Sequence, residues 1–433
     1  MKSGKFHSVV PSGMRNEEER KRVKEEFFKS LEGKEELSMT DQIMLQMYAD
    51  ETDESSAGDG SAGWSDAAVI NPYTMYLCYG DPQILKNQYE SAKKHVEYMF
   101  ARAKNKNGQR EGEPEYHAWT DGELDADYIW DTEFHWGEWL EADVGTAGEM
   151  QVMMQKFTNP DPEVPTAFLY YSTRLLSEMA EILEMHEDAR IYREKSEKVK
   201  RMFNKYLIGA DGVIKAGRQA PNVRALAFGL CDDGHKRQVE ATLLQMIREN
   251  EYHLNTGFLA TPYILDVLVD AGCAEMAYKL LEQETPPSWL YNVKKGATTI
   301  LEEWNGMETH VGSFNHYSYG AVCNFLFTRI AGIRPMISCP GYKEFLIEPV
   351  IGSGLAFAKA VYECPYGTIR SEWEKTEDKT EYLFEIPVNT NATVRLKTRE
   401  EKLEKVMKDY PNAKCEKGYV ELKMGSGRWR VTV

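Results

Sequence analysis

The sequence has no excess of positive charge, no long apolar run and no paired cysteines, and each absence removes a class of function. Against 52 lysines and arginines stand 69 aspartates and glutamates, a net charge of −17. Nucleic acid and anionic membranes are bound through clustered basic groups that release counterions, so neither is an expected partner. Such a charge does not repel a neutral ligand such as an uncharged sugar. No segment approaches the ~20 apolar residues that cross a bilayer. The opening MKSGKFHSVVPSG has no hydrophobic stretch of signal-peptide length, so a cytoplasmic protein is expected. Seven cysteines (Cys78, Cys231, Cys273, Cys323, Cys339, Cys364, Cys415) lie far apart with no CxxC among them. Most sit in apolar runs such as GLCDD and AVCNFLF and read as buried thiols in a reducing compartment, and zinc is not supported. The chain's 433 residues, 42% hydrophobic and 28% charged, suit a globular protein of two or three domains.

A fixed repeat period is missing too, which argues against an open helical array. Helices nevertheless come in pairs. Ala67–Tyr79 and Pro82–Ala103 are separated by the turn Gly80-Asp81-Pro82, with proline at a first helical position. In the second, Leu85, Tyr89, Ala92, Val96, Met99 and Ala103 recur at steps of three and four, forming one apolar face. Thr166–Leu183 and Glu187–Tyr206 repeat the plan. Further helices are expected at Ala225–Leu230, Lys236–Asn250, Thr261–Ala271, Ala274–Gln283 and Tyr317–Ala331. Pair after pair joined by short turns predicts a mainly α fold, a closed double-layered α/α barrel. Ahead of it, residues 17–31 have helical composition with an acidic first turn. Asp50–Gly63 reads as a solvated linker or as a loop delivering Trp64 and Asp66 to a site.

After Pro335 the period changes to two. Glu344–Pro349, Leu355–Glu363, Thr368–Lys375, Thr380–Pro387, Ala392–Lys397, Tyr419–Lys423 and Trp429–Val433 alternate apolar and polar residues between Gly, Asn, Asp and Pro turns. These segments predict a C-terminal antiparallel β-sandwich, with domains at residues 1–335 and 336–433.

The connections between helices carry the chemistry. Glu115–Glu141 holds four of the nine tryptophans (Trp119, Trp130, Trp136, Trp139), and Pro286–Lys295 adds Trp289. Packing accounts for one or two of these, and the remainder suit a carbohydrate platform, since a sugar stacks its C–H face on indole. The stretch Gly296–Pro335 adds adjacent carboxylates, Glu302 and Glu303, then Trp304 and the cluster Asn315-His316-Tyr317. Cleaving a glycosidic bond needs a carboxylate to activate water and negative charge beside an oxocarbenium-like transition state. The same residues also read as an acidic surface loop leading into a core helix.

Several of these segments together resemble one family. TTILEEW, SFNHYSYGAV, AGIRP, PGYKEFLIEP and CPYGTIRSEW are similar to stretches of the bacterial α-L-rhamnosidases, glycoside hydrolase family 78. GWSDAAVINPYTMYLCYGD, FHWGEWLE, TGFLATPYILDVL and PSWLYNVKKGATTI follow in the family's order. The match runs from about Gly58 to the C-terminus, with residues 1–57 matching poorly. It implies a six-hairpin α/α barrel followed by a small β-sandwich, and inverting hydrolysis of terminal α-L-rhamnosyl residues without a required metal or other cofactor.

The resemblance also implies roles. Glu302 falls on the glutamate of the family's TIWE motif, the general base, with Leu301 in place of tryptophan. Trp64 and Asp66 match a WGDA-like motif that lines the sugar site. Glu138 and Trp139 match its GDW, Trp289 its SWGY, and His316 the histidine of its NHY, a donor to sugar hydroxyls; a core histidine is the plainer account of His316. Glu303 is expected to point away from Glu302, because neighbours on an extended segment face opposite sides. The family's general-acid motif is expected before Met1, so none is assigned here and the barrel is expected to lack its first helices. Two other functions fit: a non-catalytic sugar-binding protein, or an α/α-barrel hydrolase of unsaturated glucuronides, which needs a cation such as Lys294 or Lys295. Aglycone and oligomeric state are left open.

Overall fold

The computed structural model describes residues 29, 60–104, 125, 127–131, 135–142, 162–310, 312–398, 406–416 and 418–433. The expected helix at 17–31 apart from residue 29, most of the 50–63 loop and Trp119 fall outside them. Helices α1 (Ala67–Tyr79) and α2 (Pro82–Lys104) form a first pair. They are followed by α3 (Glu163–Ile182) with α4 (His186–Met202), α5 (Gln219–Phe228) with α6 (Lys236–Glu249), and α7 (Thr261–Asp270) with α8 (Ala274–Leu281).

Composition decides which partner of each pair faces inward. α4 and α6 bury single stripes, Ala189/Tyr192/Ser196/Val199 and Val239/Leu243/Ile247, and keep their charged faces in water. α3 and α5 are buried on nearly all sides. Packing follows: α1 meets α3, α3 meets α5, α5 meets α7 and α7 meets Val322–Phe325, an inner ring with the more polar helices outside. This is the double-layered barrel the paired helices predict.

Differences from the sequence expectation are local. α5 starts six residues early, because Pro221 sits harmlessly in its first turn. Glu187–Tyr206 ends in a π turn at Phe203–Leu207, and Tyr317–Ala331 divides into a 3₁₀ turn (Tyr319–Ala321), an α turn and a π turn (Leu326–Ile330). The Pro286–Lys295 connection contains a short helix, α9 (Trp289–Lys294), capped by Ser288, whose hydroxyl accepts the Tyr291 N–H at 3.1 Å.

The switch to sheet falls between Ile330 and Ile333, so β1 (Ile333–Pro335) already belongs to the second domain. The other strands are β2 (Glu344–Ile347), β3 (Phe357–Cys364), β4 (Gly367–Lys375), β5 (Thr380–Lys397), β6 (Lys414–Glu416) and β7 (Tyr419–Thr432). Two expected pairs of strands are single long ones. β5 runs through Pro387–Thr390, where the register with β7 shifts between Ile386 and Asn391 and Asn389 takes φ 62°. Its first half lies beside β4 and its second beside β2, the latter a parallel pairing in an otherwise antiparallel sheet. The bend lets Tyr382, Phe384 and Ile386 from one half and Ala392, Val394 and Leu396 from the other enter a common core. Barrel and sheet are joined by specific bonds. Trp373 Nε1 donates to Ile330 C=O at 2.8 Å, and Tyr278 donates to Val350 C=O at 2.5 Å.

Candidate functional site

Five connections meet at one end of the barrel: 61–66, 135–141, 256–260, 299–304 and 312–319. Hydrogen bonds link them in turn, the 256–260 and 299–304 connections through Trp304 Nε1, which donates to Thr256 C=O at 3.3 Å. Ala62 N–H donates to His135 Nδ1 at 3.2 Å, and Trp136 N–H to the Ser61 hydroxyl at 3.0 Å. Phe258 N–H donates to Trp139 C=O at 2.9 Å. The last two connections form a short ladder, Glu302 N–H to Ser313 C=O at 2.9 Å and His316 N–H to Ile300 C=O at 2.8 Å.

That ladder places two of the sequence-predicted residues together. Glu302 is half-buried and one of its carboxylate oxygens accepts the Ser313 N–H at 2.7 Å, which fixes its direction. Glu303, its neighbour, is buried, yet both side chains approach Gly312: the chain bends at Glu302–Glu303 instead of running extended, so burial and not the expected alternation distinguishes the two. His316 is also half-buried. Its Nδ1 accepts the Ser318 N–H at 3.4 Å, so a neutral ring carries its proton on Nε2, a donor for a hydroxyl oxygen. Trp64 and Trp139 are half-buried as well, and Trp139 packs edge-to-face on Trp136 with centroids 5.0 Å apart. Gly63 lies directly against Leu259, which ties Trp64's loop to the same end.

Three other residues do not stand where a bound sugar would meet them. Trp289 is 6% exposed, packs edge-to-face on Trp304, and spends its Nε1–H on Tyr319 C=O at 2.9 Å. It is core, and so is Trp130. Asp66 is 0% exposed: it accepts from the Ser172 hydroxyl and from Gly63 N–H at 2.7 Å, folding the 61–66 loop onto α3. Glu138 is 2% exposed, and both its oxygens are occupied from within. Oε1 accepts from the N–H groups of Gly257, Leu259 and Ala260 at 2.8, 3.1 and 3.0 Å, just ahead of α7. Its Oε2 accepts from Arg224. Asp66 and Glu138 are therefore holders of the site's loops: both are buried and bonded from within, so neither carboxylate is open to a sugar.

Two groups essential to this arrangement were not singled out from sequence. Arg224, wholly buried in the apolar-looking run NVRALAF, bridges Glu138 and Glu163. Burial alone would weaken its charge, but Glu163 and Glu138 more than offset this and hold the guanidinium above its ordinary value. An arginine on a buried face was the available signal. Tyr319, 1% exposed, stacks on Trp304 at 3.8 Å and donates its hydroxyl to Leu140 C=O at 2.7 Å. Burial, then the charges of Glu138, Glu303, Glu141 and Glu302, push its hydroxyl far up, so it remains a protonated donor.

Among the described residues no group of His, Cys, Asp and Glu is placed to hold a metal ion, and no helix is long and apolar enough to cross a membrane. The two lysines that a uronic acid would call on are paired with other residues, Lys294 with Glu284 and Lys295 with Glu308 at 3.3 Å, and Arg218 beside the 135–141 connection pairs with Glu141.

Comparison with known proteins agrees with this architecture. The chain is 29% identical over 392 residues to an α-L-rhamnosidase of Streptomyces avermitilis, covering 87% of this chain and 33% of that protein. It is 31% identical over 341 residues to an α-L-rhamnosidase of an Alteromonas species, covering 77% and 34%. Among solved structures, the Streptomyces avermitilis α-L-rhamnosidase complexed with L-rhamnose superposes with a TM-score of 0.71 at 28% identity, over 87% of this chain and 33% of that one. The chain thus spans about a third of the length of the curated relatives it matches. The model of the bacterial α-L-rhamnosidase six-hairpin glycosidase domain matches residues 35–330 and that of the family's C-terminal domain residues 332–410, and on this evidence the chain belongs to the bacterial α-L-rhamnosidase family.

Proposed function

We propose that this chain hydrolyses terminal α-L-rhamnosyl residues with inversion, Glu302 activating the water and Trp64, Trp139 and His316 holding the sugar. The observation that carries the reading is the ladder between 299–302 and 313–316. It sets a carboxylate that is half-open and directionally fixed on the same two-segment unit as a histidine with a donor nitrogen. A base must be held within reach of water before it can act, and backbone pairing is a rigid way to hold it. The apolar, tryptophan-bearing surroundings suit the methyl group of a deoxysugar. The engagement of Lys294 and Lys295 with glutamates speaks against a uronic acid, which calls for an uncommitted cation. The test is incubation of the purified chain with 4-nitrophenyl α-L-rhamnoside, following the anomer first released by proton NMR. Release of β-L-rhamnose supports the reading; release of the α-anomer, or no turnover, removes it.

One observation favours a second reading, a sugar-binding protein without turnover. Inverting hydrolysis uses two carboxyl groups about 6.5–9.5 Å apart. Among the described carboxylates of the five connections, Asp66, Glu138, Glu141 and Glu303 are buried, and Glu308, just beyond the fourth, is engaged by Tyr291 and Lys295. Glu302 is left as the half-open one. Binding of L-rhamnose with no turnover in the same assay selects this reading.

A further inference from the structure

Tyr317 is 77% exposed, the most exposed of the large hydrophobic side chains among the described residues. A ring so open to water usually swings freely, but this one is clamped on one face. It stacks on His316 with centroids 5.1 Å apart and planes 21° apart. His316 in turn stacks on Phe258 at 4.9 Å, and Phe258 packs edge-to-face on Tyr319 at 5.4 Å. The series continues through Trp304 to Trp289 in the core. Six rings therefore run from the buried interior to solvent, and the outermost has one face covered and the other open.

The position of the open face matters. His316 is the last half-buried ring of the series and the one with a donor nitrogen for a sugar. Tyr317 is the next ring outward. A sugar held at His316 with its glycosidic oxygen toward solvent would set its leaving group beside Tyr317. Flat rings, whether aryl groups or the C–H face of a second pyranose, stack on an aromatic face, whereas a methyl group gains little there. We propose that Tyr317 is a shelf for the aglycone, giving the site a preference for rhamnosides whose leaving group presents a flat ring. The inference rests on the rhamnoside reading above and adds the leaving-group side to it.

Three ligands separate the two claims: L-rhamnose, methyl α-L-rhamnoside, and phenyl 1-thio-α-L-rhamnoside, whose sulfur linkage resists hydrolysis. Affinities are measured by titration calorimetry on the original chain, Tyr317→Ala and Tyr317→Phe. The expected result is that the phenyl thioglycoside binds about five- to tenfold tighter than the methyl glycoside, the gain expected of one aromatic contact. Tyr317→Ala should remove that gain and leave L-rhamnose and methyl rhamnoside unchanged, while Tyr317→Phe, which keeps the ring, should retain it. A Tyr317→Ala variant that keeps the phenyl preference, or that loses affinity for all three ligands alike, overturns the shelf while leaving the sugar pocket standing. If the original chain binds none of the three, the rhamnoside reading fails and the shelf fails with it.

Discussion

Glu138 and Arg224 lie 86 residues apart in the sequence and meet as an ion pair in which both side chains are 0% exposed. Arg224 reaches Glu163 with its other nitrogens, and Glu138 gathers three backbone N–H groups ahead of α7 with its other oxygen. The pair thus joins α5 to the 256–260 connection that presents Phe258 to His316. Arg224→Met fills similar space but leaves two carboxylates buried without their counter-charge. A loss on the order of 3–5 kcal/mol is expected. Chemical denaturation measures it, and a variant as stable as the original would mean that the carboxylates find other partners.

Gly257 carries a second, purely steric constraint. A Cβ there would lie 2.0 Å from the Trp139 carbonyl oxygen and 3.1 Å from the Glu141 nitrogen, both backbone atoms with little freedom to retreat. Gly257→Ala should destabilise the protein by about 1–3 kcal/mol. It should also weaken L-rhamnose binding, because the 135–141 and 256–260 connections are forced apart. Gly234→Ala, whose Cβ would meet only the Asp232 carboxylate at 3.4 Å, is the control and should melt like the original.

On the outer ring, Asp188 in the first turn of α4 accepts from Lys93 at 2.8 Å and from the Tyr89 hydroxyl at 2.9 Å, clamping α4 to α2. The Lys93 ammonium, backed by Tyr89 and opposed by partial burial, holds the Asp188 carboxyl below its ordinary value. A depressed carboxylate adds stability that is fully present above its unfolded value near pH ~4 and is lost as pH falls through the lower folded value. The melting temperature of Asp188→Asn should therefore lie below that of the original at about pH 6 and converge on it as acid protonates Asp188. A gap that stays constant down to about pH 2 would assign the clamp to packing rather than charge.

Glu302→Gln keeps the shape of the side chain and removes its basicity. If Glu302 activates water, turnover of 4-nitrophenyl α-L-rhamnoside should fall on the order of a hundred- to ten-thousand-fold while the affinity for L-rhamnose changes little. Added azide, a nucleophile that needs no base, should restore product as the β-azide. A variant that turns over normally would move the base elsewhere. Glu303→Gln is the companion measurement, and a fall in both stability and rate is expected there because Glu303 is buried and its charge acts on Tyr319.

How much of this was legible beforehand depended on whether the information was local. The three- and four-residue apolar steps of Leu85, Tyr89, Ala92, Val96, Met99 and Ala103 specify a helix and its buried face without reference to the rest of the chain, and all six are buried. The change to a two-residue period after Pro335 likewise announces strands, because each neighbour's contacts are set by backbone geometry alone. The motifs around Glu302 and His316 were readable too, since both lie within one short segment. What could not be read was which polar residues turn inward. Asp66, Glu138 and Trp289 sit in the same kinds of loops as Trp64, Trp139 and His316, and no local pattern separates them. Only the closing of the barrel brings Ser172 to Asp66, Arg224 to Glu138 and Tyr319 to Trp289, and a buried polar group must be satisfied by whatever the fold sets beside it. The sequence by itself determined the helices, the strands and the chemistry on offer; the tertiary structure decided which carboxylates are buried to hold the loops and that Glu302 stays half-open, because burial and partners are set only when distant segments meet.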